Sequence, residues 1–262
     1  MNTYLTFMQK EIMETMRNKR LLVLACVFAG FAILGPLMGR YLVEFITMFV
    51  PTGELDFMEE LMGGMLPQPT WVDGYANFYA NLAQVGVITV MLLYMGAVLD
   101  EKRRGTAPMM LMKGLSHTTF VMSKFTVMSL TTLVVTLASA PIAHLYTYIL
   151  FEEAGNFGEM MLGSVIFWVF LIFIIAMMIF FSTVAKKISS VAIYGFLAYF
   201  VLIIFDVVQH VREFLPYGLV TQATMVSMGN FNEHLLPNSL ISLGATAVLL
   251  IASIHILKKK EL

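Results

Sequence analysis

The sequence predicts an all-α polytopic membrane protein, with six transmembrane helices, an N-terminal amphipathic interfacial helix and short outer re-entrant helices. Three observations predict it. Of 262 residues, 59% are hydrophobic and only 13% charged, whereas soluble domains carry about 25% charged residues. The apolar residues come in long unbroken runs, not at helical or strand periodicity. The basic residues then alternate from loop to loop.

Runs free of Asp, Glu, Lys and Arg extend over Leu21 to Gly39, Gly74 to Leu99, Phe125 to Phe151, Met160 to Ala185, Ile188 to Phe205 and Leu235 to Leu257. Each is close to or above the roughly 18 to 20 residues that carry a helix across about 30 Å of hydrocarbon. With the N-terminus inside, fourteen basic residues fall on the cytoplasmic side, including Lys10, Arg17, Arg20, Lys102 to Arg104, Lys124, Lys186, Lys187 and Lys258 to Lys260. Only Arg40 and Arg212 fall outside. Both termini are therefore expected in the cytoplasm. The acids lean the other way, with Glu44, Glu54, Asp56, Glu59, Glu60 and Asp73 in the first outer loop.

The segment Tyr4 to Arg17, inside residues 1–20, places Leu5, Met8, Ile12 and Met16 on one helical face and Lys10, Glu14 and Arg17 on the other. It reads as a helix lying in the cytoplasmic interface. The basic residues here and the length of the next run argue against a cleavable signal peptide. Cys26 sits inside the first run and reads as a small buried hydrophobe. Arg40 and Glu44 are spaced for an intrahelical pair, and Glu54 to Met65 reads as a short amphipathic outer helix. The last outer loop, residues 206–234, holds an apolar stretch broken at Pro216 and Gly218. Two short helices dipping into the outer leaflet, or an ordinary surface loop, both fit it.

No loop is long enough for an independent soluble domain, so residues 1–262 read as one membrane domain. No Gly-Lys pair occurs, which excludes a P-loop, and neither H-E-x-x-H nor G-x-S-x-G is present. The 22 methionines are spread over every segment and suit flexible packing better than a cuprous site. Asp206, His210 and Glu213 share a helical face, as an outer-mouth proton or cation site or as a solvated helix end. Pro141, inside the third span, is either a moving kink or a fixed bend.

The cytoplasmic segment 100–124 is the most informative. Thr106 is expected to cap a short helix whose first turn takes Pro108 and which Gly114 ends. Met109, Met112 and Leu115 then form an apolar stripe beside the basic cluster Lys102 to Arg104, and Ser116 caps the helix entering span three. The segment fits either a helix that receives force from a separate motor or a basic turn that holds topology.

Glu101, Gly105-Thr106, a short apolar helix, Leu115-Ser116 and Lys124, placed between spans two and three, resemble the first intracellular loop of ABC-2-type ABC transporter permeases. The six spans and the long outer loop before span six extend the resemblance. Family members often have Leu-Glu where this chain has Ala107-Pro108, a Pro where Gly114 stands and an Arg where His117 stands. The resemblance implies a coupling helix, with Glu101, Arg104, Gly105, Thr106, Pro108, Met109, Met112, Leu115 and Ser116 meeting a separate ABC ATPase subunit. It also implies that ATP and Mg are held by that ATPase, with no cofactor in this chain. A second permease subunit, as homodimer or related heterodimer, would complete the assembly in the lipid membrane, with no nucleic acid involved. The expected function is outward movement of an apolar or amphipathic cargo such as a peptide, lipid or drug. The competing expectation is an ion- or proton-coupled secondary transporter, which would place carboxylates inside the spans.

Overall fold

A computed structural model describes residues 3–49, 68–206, 212, 214–231 and 233–259, and among these every regular element is a helix. α1 (Thr3–Arg17) precedes α2 (Arg20–Phe49), which holds the first span. The second span is segmented into α3 (Trp71–Asn81), a π-helical turn (Leu82–Gly86), α4 (Val87–Tyr94) and α5 (Leu99–Arg103). α6 (Thr106–Met112) lies between spans two and three. α7 (His117–Phe151), α8 (Phe157–Val184) and α9 (Ile188–Asp206) are spans three to five, α10 (Gly218–Ser227) is a short helix, and α11 (Leu235–Lys259) is the sixth span. All six apolar runs have thus become helices long enough to cross a bilayer. The proposed outer helix of Glu54 to Met65 lies outside the described residues.

Local chemistry sets the helix ends. Lys19 takes a left-handed conformation (φ 54°) at the corner between α1 and α2. Asp73 Oδ2 accepts from the Thr70 amide at 2.8 Å and closes a capping box at the start of α3. Ser116 Oγ accepts from the Thr119 amide at 3.0 Å, and Asn156 Oδ1 from the Gly158 amide at 2.8 Å, which starts α7 and α8. Several buried hydroxyls inside the spans bond back to their own helices. Thr132 donates to the Met128 carbonyl at 3.1 Å, Thr147 to Ala143 at 2.8 Å and Ser242 to Asn238 at 2.8 Å. Such pairing lets these polar groups sit in an apolar bundle.

The core centres on α8, which packs against α4, α7, α9, α10 and α11. Its Phe167, Phe170, Leu171, Ile174 and Ile175 are fully buried. Spans one, five and six are peripheral and display Leu34, Leu197, Phe200, Leu240 and Val248 outward. In hydrocarbon such faces carry no penalty, so association between helices relies on close packing. Gly35 and Gly39 provide it. A Cβ on Gly35 would lie 2.7 Å from the Phe78 Cα, and one on Gly39 would lie 2.8 Å from the Asp73 backbone carbon. The Gly35-x-x-x-Gly39 spacing brings the α2 backbone against α3 with no side chain between them.

The residue 206–234 segment contributes one described helix, α10, which lies against α8 and α3. Leu219, Val220, Ala223 and Val226 are buried there, and Ser227 Oγ donates to the Ala223 carbonyl at 2.6 Å. One face of α10 is therefore packed on the core, while Met225 is exposed on the other.

Candidate functional site: a charged junction at one end of the bundle

Six antiparallel spans bring Arg20, Arg103, His117 and Lys259 to one end of the molecule, together with α1 and α6. Here the structure departs from the sequence expectation in an instructive way. The charge-free run of the third span begins at Phe125, which leaves Lys124 with the cytoplasmic segment 100–124. α7 begins at His117, directly after the expected Ser116 cap, but Lys124 lies two turns inside it and is buried, only 2% exposed. An ammonium that deep requires acids, and two helices deliver them. Lys124 Nζ donates to Glu11 Oε1 of α1 at 2.9 Å and to Glu101 Oε1 of α5 at 2.9 Å. Lys10 adds a second ammonium, bonded to Glu101, to Glu11 at 2.9 Å and to Glu14 at 3.0 Å.

The result is one charged knot shared by three helices. The Glu11, Glu14 and Glu101 carboxylates come within 4.8 Å of one another, gathered by the two ammonium groups. Burial disfavours the charge on Lys10, yet the bond to Glu101 and the charge of Glu11 outweigh it and hold the ammonium above its ordinary pKa. Burial likewise opposes ionisation of Glu14, but the bond to Lys10 wins and lowers its pKa. Phe7 and Phe120 pack 5.8 Å apart beside the knot, with Lys124 5.2 Å from the Phe120 ring centre.

α1 accordingly has two working faces. Phe7, Glu11 and Thr15, one turn apart, face the protein and are buried, while Leu5, Ile12, Met13 and Met16 are exposed. The apolar stripe read from the sequence is the outward one. The face that holds the helix in place is polar at its centre, which a search for hydrophobic periodicity passes over.

The loop hangs from this knot. Gly105 takes φ 72° between α5 and α6, a conformation that costs glycine little. It occupies the N-cap position expected of Thr106. Thr106 is instead the first helical residue, and its hydroxyl donates to the Glu101 carbonyl at 3.2 Å. The correction is physical, because glycine reaches a left-handed conformation that a β-branched residue avoids. Pro108 falls in the first turn, and Gly114 (φ 93°) follows the end of α6. Met109 and Met112 project outward, 54% and 82% exposed. Leu115 does not join them, because it packs partly against the core. Arg104 is exposed, and Ser116 caps α7.

A second feature lies midway along the bundle. The π-helical turn Leu82–Gly86 interrupts span two, and the Tyr199 hydroxyl of α9 donates to the Ala83 carbonyl there. Beside it runs a groove of about 540 Å³ between spans two and five, lined by Ile88, Ile193, Phe196, Leu197, Phe200 and Gln84. Gln84 is exposed in this otherwise apolar wall. Nothing in residues Leu82 to Gly86 marks a π turn in advance.

The remaining expected residues are not brought together with either feature. Pro141 lies within the continuous helix α7. Asp206 ends α9 and pairs with Arg212, Oδ1 to Nε, at 3.3 Å. Its expected companions His210 and Glu213 lie outside the described residues. Arg212 also reaches the Thr221 hydroxyl, which ties α10 to the end of span five.

Six apolar helices around a core of side chains, with an ordered charged junction at one end, define an all-helical multi-pass membrane protein. Residues 15–254 match the family model described as multidrug efflux system permease Rv1217c, C-terminal domain. The chain belongs to that family, and it is a membrane permease of a transporter. A comparison with curated proteins returns no match.

Proposed function

We propose that this chain is the membrane-spanning subunit of an ATP-driven ABC exporter of the ABC-2 type. It works beside a second permease subunit and with a separate ATPase that docks on α6. Both termini face the cytoplasm in this reading, which the fourteen-to-two division of basic residues supports. The observation that carries the proposal is the combination of an exposed methionine surface with a fixed base. Met109 and Met112 protrude from a two-turn helix, while Glu101 at its foot is bonded to Lys124 of span three and Lys10 of α1. A push on α6 therefore passes to α5, α7 and α1 as a unit, because separating them would expose unpaired charge in a dry site.

Cargo leaves by way of the groove between spans two and five, closed on its open side by the second permease subunit. Its apolar wall with one exposed carboxamide suits amphipathic drugs, in keeping with the multidrug efflux role that the family description names. Affinity purification of the tagged chain from its native membranes, followed by peptide mass spectrometry, tests the reading. An ATPase with a P-loop is expected in stoichiometric amount. Its absence from a sample that still transports drugs would overturn the proposal.

A further inference from the structure

Above the charged knot, where α1 meets the ends of spans one and two, lies a cavity of about 510 Å³. Its lining carries both signs of charge. Arg17, Arg20 and Arg104 contribute guanidinium groups, Asp100 contributes a carboxylate, and Met13 and Met110 supply apolar wall. The lysines and glutamates of the knot form its floor and satisfy one another, with one exception. Glu101 Oε2 is buried and has no hydrogen-bond partner among the described residues. Arg17, Arg104 and Asp100 likewise form no ion pair with one another or with any other described residue.

The position in the membrane restricts what can fill such a space. Arg20 opens span one and Arg103 closes span two, so the cavity lies at headgroup level, with the exposed apolar face of α1 directed at lipid. Guanidinium groups match phosphate oxygens in pairs. The Asp100 carboxylate beside them, which has no ion-pair partner among the described residues, calls for a hydrogen-bonding cation on the same ligand. We infer that this cavity binds the headgroup of an amine-bearing phospholipid of the phosphatidylethanolamine type. The phosphate sits against Arg17, Arg20 and Arg104, the primary ammonium lies at Asp100, and the first acyl carbons rest on Met13 and Met110. A quaternary ammonium cannot donate to Asp100, and a glycerol headgroup brings no cation. The lipid would brace α1 against the α6 loop, and this holds whether or not an ATPase docks there.

The test is native mass spectrometry of the full chain, delipidated and offered equal amounts of phosphatidylethanolamine, phosphatidylcholine and phosphatidylglycerol. Phosphatidylethanolamine should be retained about tenfold over the other two, and this arm needs no variant. Arg17→Gln and Arg104→Gln should each weaken its retention about fivefold. Asp100→Asn should erase the preference among the three lipids while leaving their common phosphate-dependent retention. Lys258→Gln with Lys259→Gln, basic residues at the same end but outside the cavity, should change nothing. Equal retention of the three lipids by the unaltered chain would overturn the inference, as would a preference that survives Asp100→Asn. Soluble phosphoethanolamine that displaced the lipid or stabilised the protein equally well would overturn the lipid as the source of the headgroup.

Discussion

Replacing Lys124 by Met removes the one cation that touches both Glu11 and Glu101 from inside span three. The change keeps most of the apolar stem and removes the ammonium from the two carboxylates and from over the Phe120 ring, so the loss is electrostatic. Breaking a buried pair from one side costs about 3 to 5 kcal/mol, since the partner charge is left without compensation. Lys10 reduces this here, because it also bonds both acids. About 2 to 3 kcal/mol is a reasonable expectation after that reduction. For a chain of this size that corresponds to a fall in melting temperature of roughly 5 to 10 °C. The assay is thermal denaturation of the detergent-solubilised protein, read as loss of the monodisperse chromatographic peak. Lys124→Arg should recover part of the loss. The variant that combines Lys124→Met with Glu11→Gln and Glu101→Gln should recover most of it, because a neutral site needs no counter-charge. A Lys124→Met protein that melts within about 2 °C of the wild type would refute the claim that this knot holds the three helices together.

Two further outcomes follow from the same packing and charges. Gly35→Leu or Gly39→Leu should cost about 1 to 3 kcal/mol or abolish the folded peak, because the α3 backbone cannot yield, whereas Gly30→Leu, with open space around it, should be tolerated. Acidification should loosen α1. Glu14 has a lowered folded pKa, so its contribution is complete above its ordinary value of 4.5 and disappears as pH falls through the lower folded value. Lys10, raised above its ordinary value of 10.5, keeps its contribution below that pH and loses it only in stronger alkali. Protection of the α1 amides from hydrogen exchange, followed from neutral to acid pH, should therefore fall on the acid side, and Glu14→Gln should flatten that part of the profile.

How much of this was legible in the sequence depends on the interaction that decides each element. The spans were legible because lipid excludes charge, and charge-free runs are visible residue by residue. The same rule hid Lys124, since a search for uncharged runs must stop at a lysine that is neutralised by residues more than twenty and more than a hundred positions away. For α1 the apolar stripe was visible and is the outward, exposed one, but its attachment through Glu11 is a tertiary fact. The loop's helix was legible from Pro108 and Gly114, while its starting residue was misassigned because Gly105 supplies by backbone what Thr106 was expected to supply by side chain. Gly35 and Gly39 carry a readable spacing for close helix contact. The π turn carries none, because Tyr199 from another span is the group that donates to its Ala83 carbonyl.

The central claim is that α6 is the surface through which a separate ATPase acts. Met109→Asp with Met112→Asp tests it most directly, because both side chains are exposed and their replacement leaves the core and the charged knot intact. The measurement is co-purification of the ATPase with the tagged double variant, alongside its melting temperature. The account predicts an unchanged melting temperature and loss of the ATPase from the complex. A double variant that brings down as much ATPase as the wild type would contradict it.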